Sequence, residues 1–145
     1  MSDNAELAGT SVHGPEPASV RLDLNRMIEQ FRPGESASKR RAEILIKQPD
    51  LRVVLITMLK GAHLQEHTAP GPVLIQCLQG ELRVTGGETP EDIKPGVVVY
   101  FQPGIQHAVE ALTDSAFLLT IGWETSMRKA DPRSREIYGD AEPRP

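Results

Sequence analysis

Four imidazoles and one thiol are the side chains in this sequence best suited to hold a transition metal or move a proton: His13, His63, His67, His107 and Cys77. His13 stands among Gly, Pro, Ser and Glu with no companion ligand. His63 and His67 share the stretch HLQEH. On an extended strand, residues four apart point the same way but lie roughly 13 Å from one another. Ligands that each sit about 2 Å from a zinc ion cannot be so far apart, so His63 joins His67 only if the chain bends sharply. Otherwise His63 is a rim or surface residue. Glu66 has the opposite parity and faces away unless a bulge re-aims it. Gln65, Gln76, Gln79, Gln102 and Gln106 cluster around these histidines, and their amides could orient a polar ligand, although most glutamines sit on the polar faces of strands. The plain alternatives are that a lone cysteine is a small buried hydrophobe and that a core histidine is a hydrogen-bonded structural residue. No Ser-His-Asp order, Gly-rich phosphate loop or close carboxylate pair stands in a supporting context.

Strands must position these side chains. From Ala42 to Trp123 the hydrophobic period is two, in short runs rich in Val, Ile and Leu: 42–47, 51–59, 73–78, 81–85, 97–101, 107–111 and 116–121. Turn signals separate them, among them Pro49-Asp50, Gly61, Pro70-Gly71-Pro72, Gly80, Gly86-Gly87, Pro95-Gly96 and Pro103-Gly104. Strands at this spacing with no helix between them indicate an antiparallel sandwich or barrel. Ahead of them Leu22, Leu24, Met27, Ile28 and Phe31 fit a strand entry leading into about two helical turns, capped by Asp23 or Asn25 and stopped by Pro33-Gly34. The basic run Lys39-Arg40-Arg41 reads as a solvated edge. Residues 1–19 and 125–145 are polar tails that bury too little apolar surface to offset the entropy of ordering. The division is therefore a tail over 1–19, one domain over 20–124 with its core at 42–123, and a tail over 125–145.

Composition narrows the function. With 145 residues and 39% hydrophobic content the chain holds one core. Its formal net charge of −4 argues against nucleic-acid binding, and an aromatic content of 4% is too thin for base-stacking platforms. No apolar run is long enough to span a membrane and the first residues are too polar for a secretory signal, so a soluble cytoplasmic protein is expected. A single cysteine excludes an internal disulfide and every multi-cysteine zinc knuckle.

Two turn-and-strand units carry a recognisable pattern. The first runs Gly61, five residues, His67-Thr68-Ala69, three residues, Val73, six residues, Gly80. The second runs Gly96, five residues, Gln102-Pro103-Gly104, two residues, His107, three residues, Ala111. Over Leu51 to Ile121 this framework resembles the cupins, whose fold is a double-stranded β-helix or jelly-roll barrel. The resemblance implies an all-β barrel with a short N-terminal helix and polar tails.

In metal-bearing cupins the first motif supplies two histidines and a glutamate and the second a histidine. Here those positions hold His67, Ala69, Val73 and His107, and the second-motif asparagine position holds Ala111. The resemblance thus implies a metal site reduced to His67 and His107, completed only by an unexpected third group such as His63 or Cys77. Cys77 shares the parity of Val73 and could line the barrel as a soft ligand. Three readings follow. One is a barrel without a full metal site that binds a small organic ligand through His67, His107, Gln76, Gln102 and Val73, with Ile75, Val97, Val99 and Leu118 completing an apolar interior. The second is a dioxygenase or isomerase using iron, manganese, nickel or zinc at His67 and His107. The third is a homodimer with a structural or interaction role, since cupins often dimerise through sheet edges. The first is favoured, with His67 and His107 expected to face each other across the interior.

Overall fold

Alternation of apolar and polar side chains requires each strand to bury one face, and two sheets do so against each other. The computed structural model describes residues 18–122, and at Glu66 and His67 the backbone alone. The tails expected at 1–19 and 125–145, with His13 and Trp123, lie outside the described residues except for Ala18 and Ser19. A helix α1 (Leu24–Gln30) precedes strands β1 (Arg40–Lys47), β2 (Leu51–Met58), β3 (His63–His67), β4 (Val73–Gln79), β5 (Leu82–Thr85), β6 (Glu91–Ile93), β7 (Val98–Phe101), β8 (His107–Ala111) and β9 (Ser115–Gly122). One sheet has the order β1-β2-β9-β4-β7 and the other β3-β8-β5-β6. Each pairing is antiparallel.

The seven strands read from the sequence are present, with ends shifted by one or two residues. Two more complete the smaller sheet. β3 is the HLQEH stretch itself, and β6 contributes only one buried side chain, Ile93, beside exposed Glu91 and Asp92.

The inner faces of both sheets meet in one core that includes Val54, Ile56, Leu64, Val73, Ile75, Cys77, Leu82, Val84, Val109, Phe117 and Ile121. A second core lies on the outer face of the larger sheet, where Met27, Ile28 and Phe31 of the helical segment pack on Leu45, Leu55 and Ala116. The helix starts at Asp23, whose carboxylate accepts from the backbone N–H of Arg26 at 3.2 Å. Its last turn is tied to the sheet by the Thr57 hydroxyl, which donates to the Phe31 carbonyl at 2.5 Å. Arg41 lies over the Phe31 ring, 4.7 Å from its centroid, so one member of the basic run covers apolar surface as well as facing water.

Two of the interior candidates sit elsewhere. Leu118 has the parity of the outer face and packs on the helix-side core, while Val97 precedes β7 and is exposed. No helix among the described residues is long and apolar enough to cross a membrane.

Candidate functional site

The one buried histidine among the described side chains is His107, at the start of β8 and 1% exposed. Its Nδ1 lies 3.1 Å from the Ile105 carbonyl oxygen. A carbonyl can only accept, so Nδ1 carries the proton and, in the neutral ring, Nε2 keeps the lone pair. The imidazole stacks on Phe101 from the end of β7, with ring centroids 5.2 Å apart and planes within 7°. Phe101 in turn leans on the backbone of Gly86, where any Cβ would overlap ring carbons Cε1 and Cζ.

Beside this stack the barrel opens. A pocket of about 310 Å³ is lined by Val84, Val99 and Phe101, by the Gly86-Gly87 turn, and by Glu88, Thr89 and Glu91. Its floor is apolar, its rim carries two carboxylates and a hydroxyl, and among the described residues no basic side chain lines it. His107 is not part of the lining. Phe101 both lines the pocket and stacks on His107.

The residues singled out in the sequence fall into three groups. Val73, like His107, is on an inner face, and its backbone pairs with Phe101 on one side and Ile121 on the other. The level at which a metal-bearing barrel would hold its glutamate is therefore a row of three apolar residues. His67 pairs with His107 directly in the β3–β8 ladder. The two positions are thus lateral neighbours in one sheet and not opposed across the interior.

His63 and Gln76 face outward. His63 is exposed and pairs with Glu110, which pairs with Arg83, which pairs with Asp92, a row of charged and polar residues across the outside of the smaller sheet. A bulge between Leu64 and His67 breaks the shared parity that simple alternation assigns to His63 and His67. Gln76 alternates with Val73, Ile75 and Cys77 and pairs with Leu118, on the face opposite the core. Gln102 is exposed in the turn after β7. Cys77 is buried in the core, but it stands four residues along β4 from Val73, roughly 13 Å away on an extended strand. Its thiol is 3.6 Å and 3.7 Å from the carbonyl oxygens of Gln79 and Gly80, and burial pushes its pKa up, so it stays a protonated thiol.

Among the described side chains the donors do not make up a metal centre of three or four ligands. Ala69 and Val73 are buried without lone pairs to offer, Cys77 is remote and protonated, and His63 faces away. Among the described side chains no three of His, Cys, Asp and Glu come together to hold an ion. Sequence reading missed Phe101 and the Gly86–Glu91 rim. Phe101 carried a signal, since it shares the parity of Val99 and sits in the strand run that ends at Pro103-Gly104.

Two antiparallel sheets closed around an apolar interior, with a pocket at one mouth, define a small jelly-roll barrel. Residues 54–122 match the family described as the cupin domain, and the chain carries a cupin domain. Among solved structures it is similar to a conserved protein of unknown function from Streptococcus pyogenes, at 21% identity and a TM-score of 0.63, covering 81% of this chain and 98% of that one. A cupin superfamily protein from Desulfitobacterium hafniense has 19% identity and a TM-score of 0.63, covering 79% and 97%. A Cupin 2 conserved barrel domain protein from Leptotrichia buccalis has 31% identity and a TM-score of 0.56 over 60% of this chain and 42% of that one. No curated protein matches.

Proposed function

We propose that this cupin barrel binds a small organic molecule at its mouth, without a complete metal site. The observation that carries the reading is the pocket of about 310 Å³ with an apolar floor and a Phe101 wall, a size suited to a small ligand. Glu88, Glu91 and Thr89 at the rim, with no cation among the described lining residues, favour a neutral or cationic ligand over an anionic one. His107 and Val73 support the wall from behind, and His67 belongs to the same backbone row as His107.

The test is a methyl-detected NMR screen of small amines, alcohols and acids against the full chain. Amines or neutral compounds are expected to shift the methyl signals of Val84 and Val99, and a screen in which only acids shift them, or nothing does, rejects the reading. Elemental analysis of untagged protein tests the metal-dependent dioxygenase or isomerase alternative in parallel. Well under one transition-metal ion per chain is expected, and stoichiometric iron, manganese, nickel or zinc that survives chelation would favour that enzyme instead.

A homodimer is a second reading, favoured by a separate observation. Leu74, Val98 and Tyr100 lie on the outside of the larger sheet at its edge strand β7 and are 42%, 49% and 57% exposed. An apolar strip beside an open strand edge is a surface that a second copy would cover.

A further inference from the structure

We propose that Phe101 is the specificity-determining residue of the mouth pocket, setting how deep a ligand enters and whether it can touch His107. The inference rests on the ligand-binding reading of the pocket and adds to it a boundary and the residue that makes it.

Three features hold the ring in place. It stacks nearly parallel on the imidazole. The backbone of β7 pairs Phe101 with Val73, which has no polar group to compete for the space. Gly86 leaves open the space that a Cβ would take from Cε1 and Cζ, so the ring is seated against a residue that cannot crowd it.

The consequence is a separation of two chemistries. The pocket side of the ring is apolar, with carboxylates at the rim. Behind the ring is an imidazole whose Nδ1 proton is fixed by the Ile105 carbonyl, which makes Nε2 the basic nitrogen of the neutral ring. His107 is 1% exposed although β8 begins beside the open mouth, whereas Phe101 itself is only half-buried and lines the pocket. A ligand in the mouth therefore meets Phe101, Val84 and Val99, and reaches the imidazole only if the ring is removed or turned aside.

The experiment measures access to each histidine in the full chain by modification with diethyl pyrocarbonate at neutral pH, read by peptide mass spectrometry. Exposed His63 is the internal reference. In the wild type His107 is expected to react about tenfold or more slowly than His63, because a buried ring must wait for local opening. In Phe101→Ala it should react at a rate close to that of His63, and in Phe101→Tyr, which keeps the ring, it should stay protected. Circular dichroism establishes that each variant is folded, and Phe101→Leu, which keeps most of the volume and loses the stack, replaces Phe101→Ala if the latter does not fold.

Benzylamine is the ligand probe. It should shift Val84 and Val99 methyl signals in the wild type and the His107 ring signals only in the Phe101→Ala or Phe101→Leu variant. Wild-type His107 reacting as fast as His63, or a folded Phe101→Ala in which His107 stays protected, overturns the proposal. If benzylamine shifts no methyl signal in any variant while the modification pattern is as expected, the ligand-binding reading fails and the role of Phe101 as a barrier to His107 stands.

Discussion

At the level of single residues, the barrel interior has replaced donors with packing. Val73 is 1% exposed in a row with Phe101 and Ile121, so a carboxylate there would be buried between apolar row neighbours. Val73→Glu is expected to destabilise the chain by about 3 kcal/mol or more in urea unfolding at pH 7, since an unpaired buried charge is among the costliest changes a core can suffer. A loss under 1 kcal/mol would mean that a polar group or water already stands beside it. Cys77 gives a pH dependence of definite sign. Burial raises its pKa in the folded chain, so the unfolded chain ionises first as pH rises, and stability is lost from the ordinary thiol value of about 8.5 upward. Cys77→Ala should flatten the fall in stability between about pH 8 and 10 relative to the wild type, measured by denaturant midpoints. At this scale the sequence was readable where alternation is regular: Val73, Ile75 and Cys77 point inward as the period of two requires, and by the same rule Gln76 points outward. The relation of His63 to His67 was not readable, because a bulge depends on the register with β8, far along the chain.

At the level of elements, α1 shows how a short helix survives. Seven residues are too few to be stable alone, so its stability comes from Met27 and Ile28 buried on the larger sheet and from its cap. Asp23→Ala removes the acceptor for the Arg26 N–H and should cost about 1 kcal/mol, seen as a lower thermal midpoint with an unchanged β signal in circular dichroism. An unchanged midpoint would show that the outer core, and not the cap, holds the helix in place. Asp23 was one of two caps consistent with the sequence, and the strands rich in Val, Ile and Leu were plain in it. β6 was not, because with one buried residue among three it has no hydrophobic run to detect and exists through its pairing with β5.

At the level of the whole molecule, the glycine and proline turns made the barrel legible because turn chemistry is local, whereas the pocket is lined by two separate segments, 84–91 and 99–101, that the fold brings to one place. The larger sheet is covered by the helical segment on one part of its outer face and bare at the other, where β7 is the edge strand. Leu74 pairs with Tyr100 and half-buried Gln76 with Val98, so exposed Leu74, Val98 and Tyr100 form with Gln76 a continuous strip across β4 and β7 with no charged residue in it. An open strand edge beside such a strip is an aggregation hazard unless it is covered, and a two-fold axis along β7 would let a second copy cover it with the same residues. Sedimentation equilibrium of the full chain is therefore expected to give a dimer at micromolar concentration. Tyr100→Glu would place one carboxylate from each copy in the buried seam and should give a folded monomer with an unchanged circular dichroism spectrum. A wild-type monomer rejects this interface, and so does a Tyr100→Glu variant that remains dimeric, because two like charges in an apolar seam with no counter-charge cannot be accommodated there.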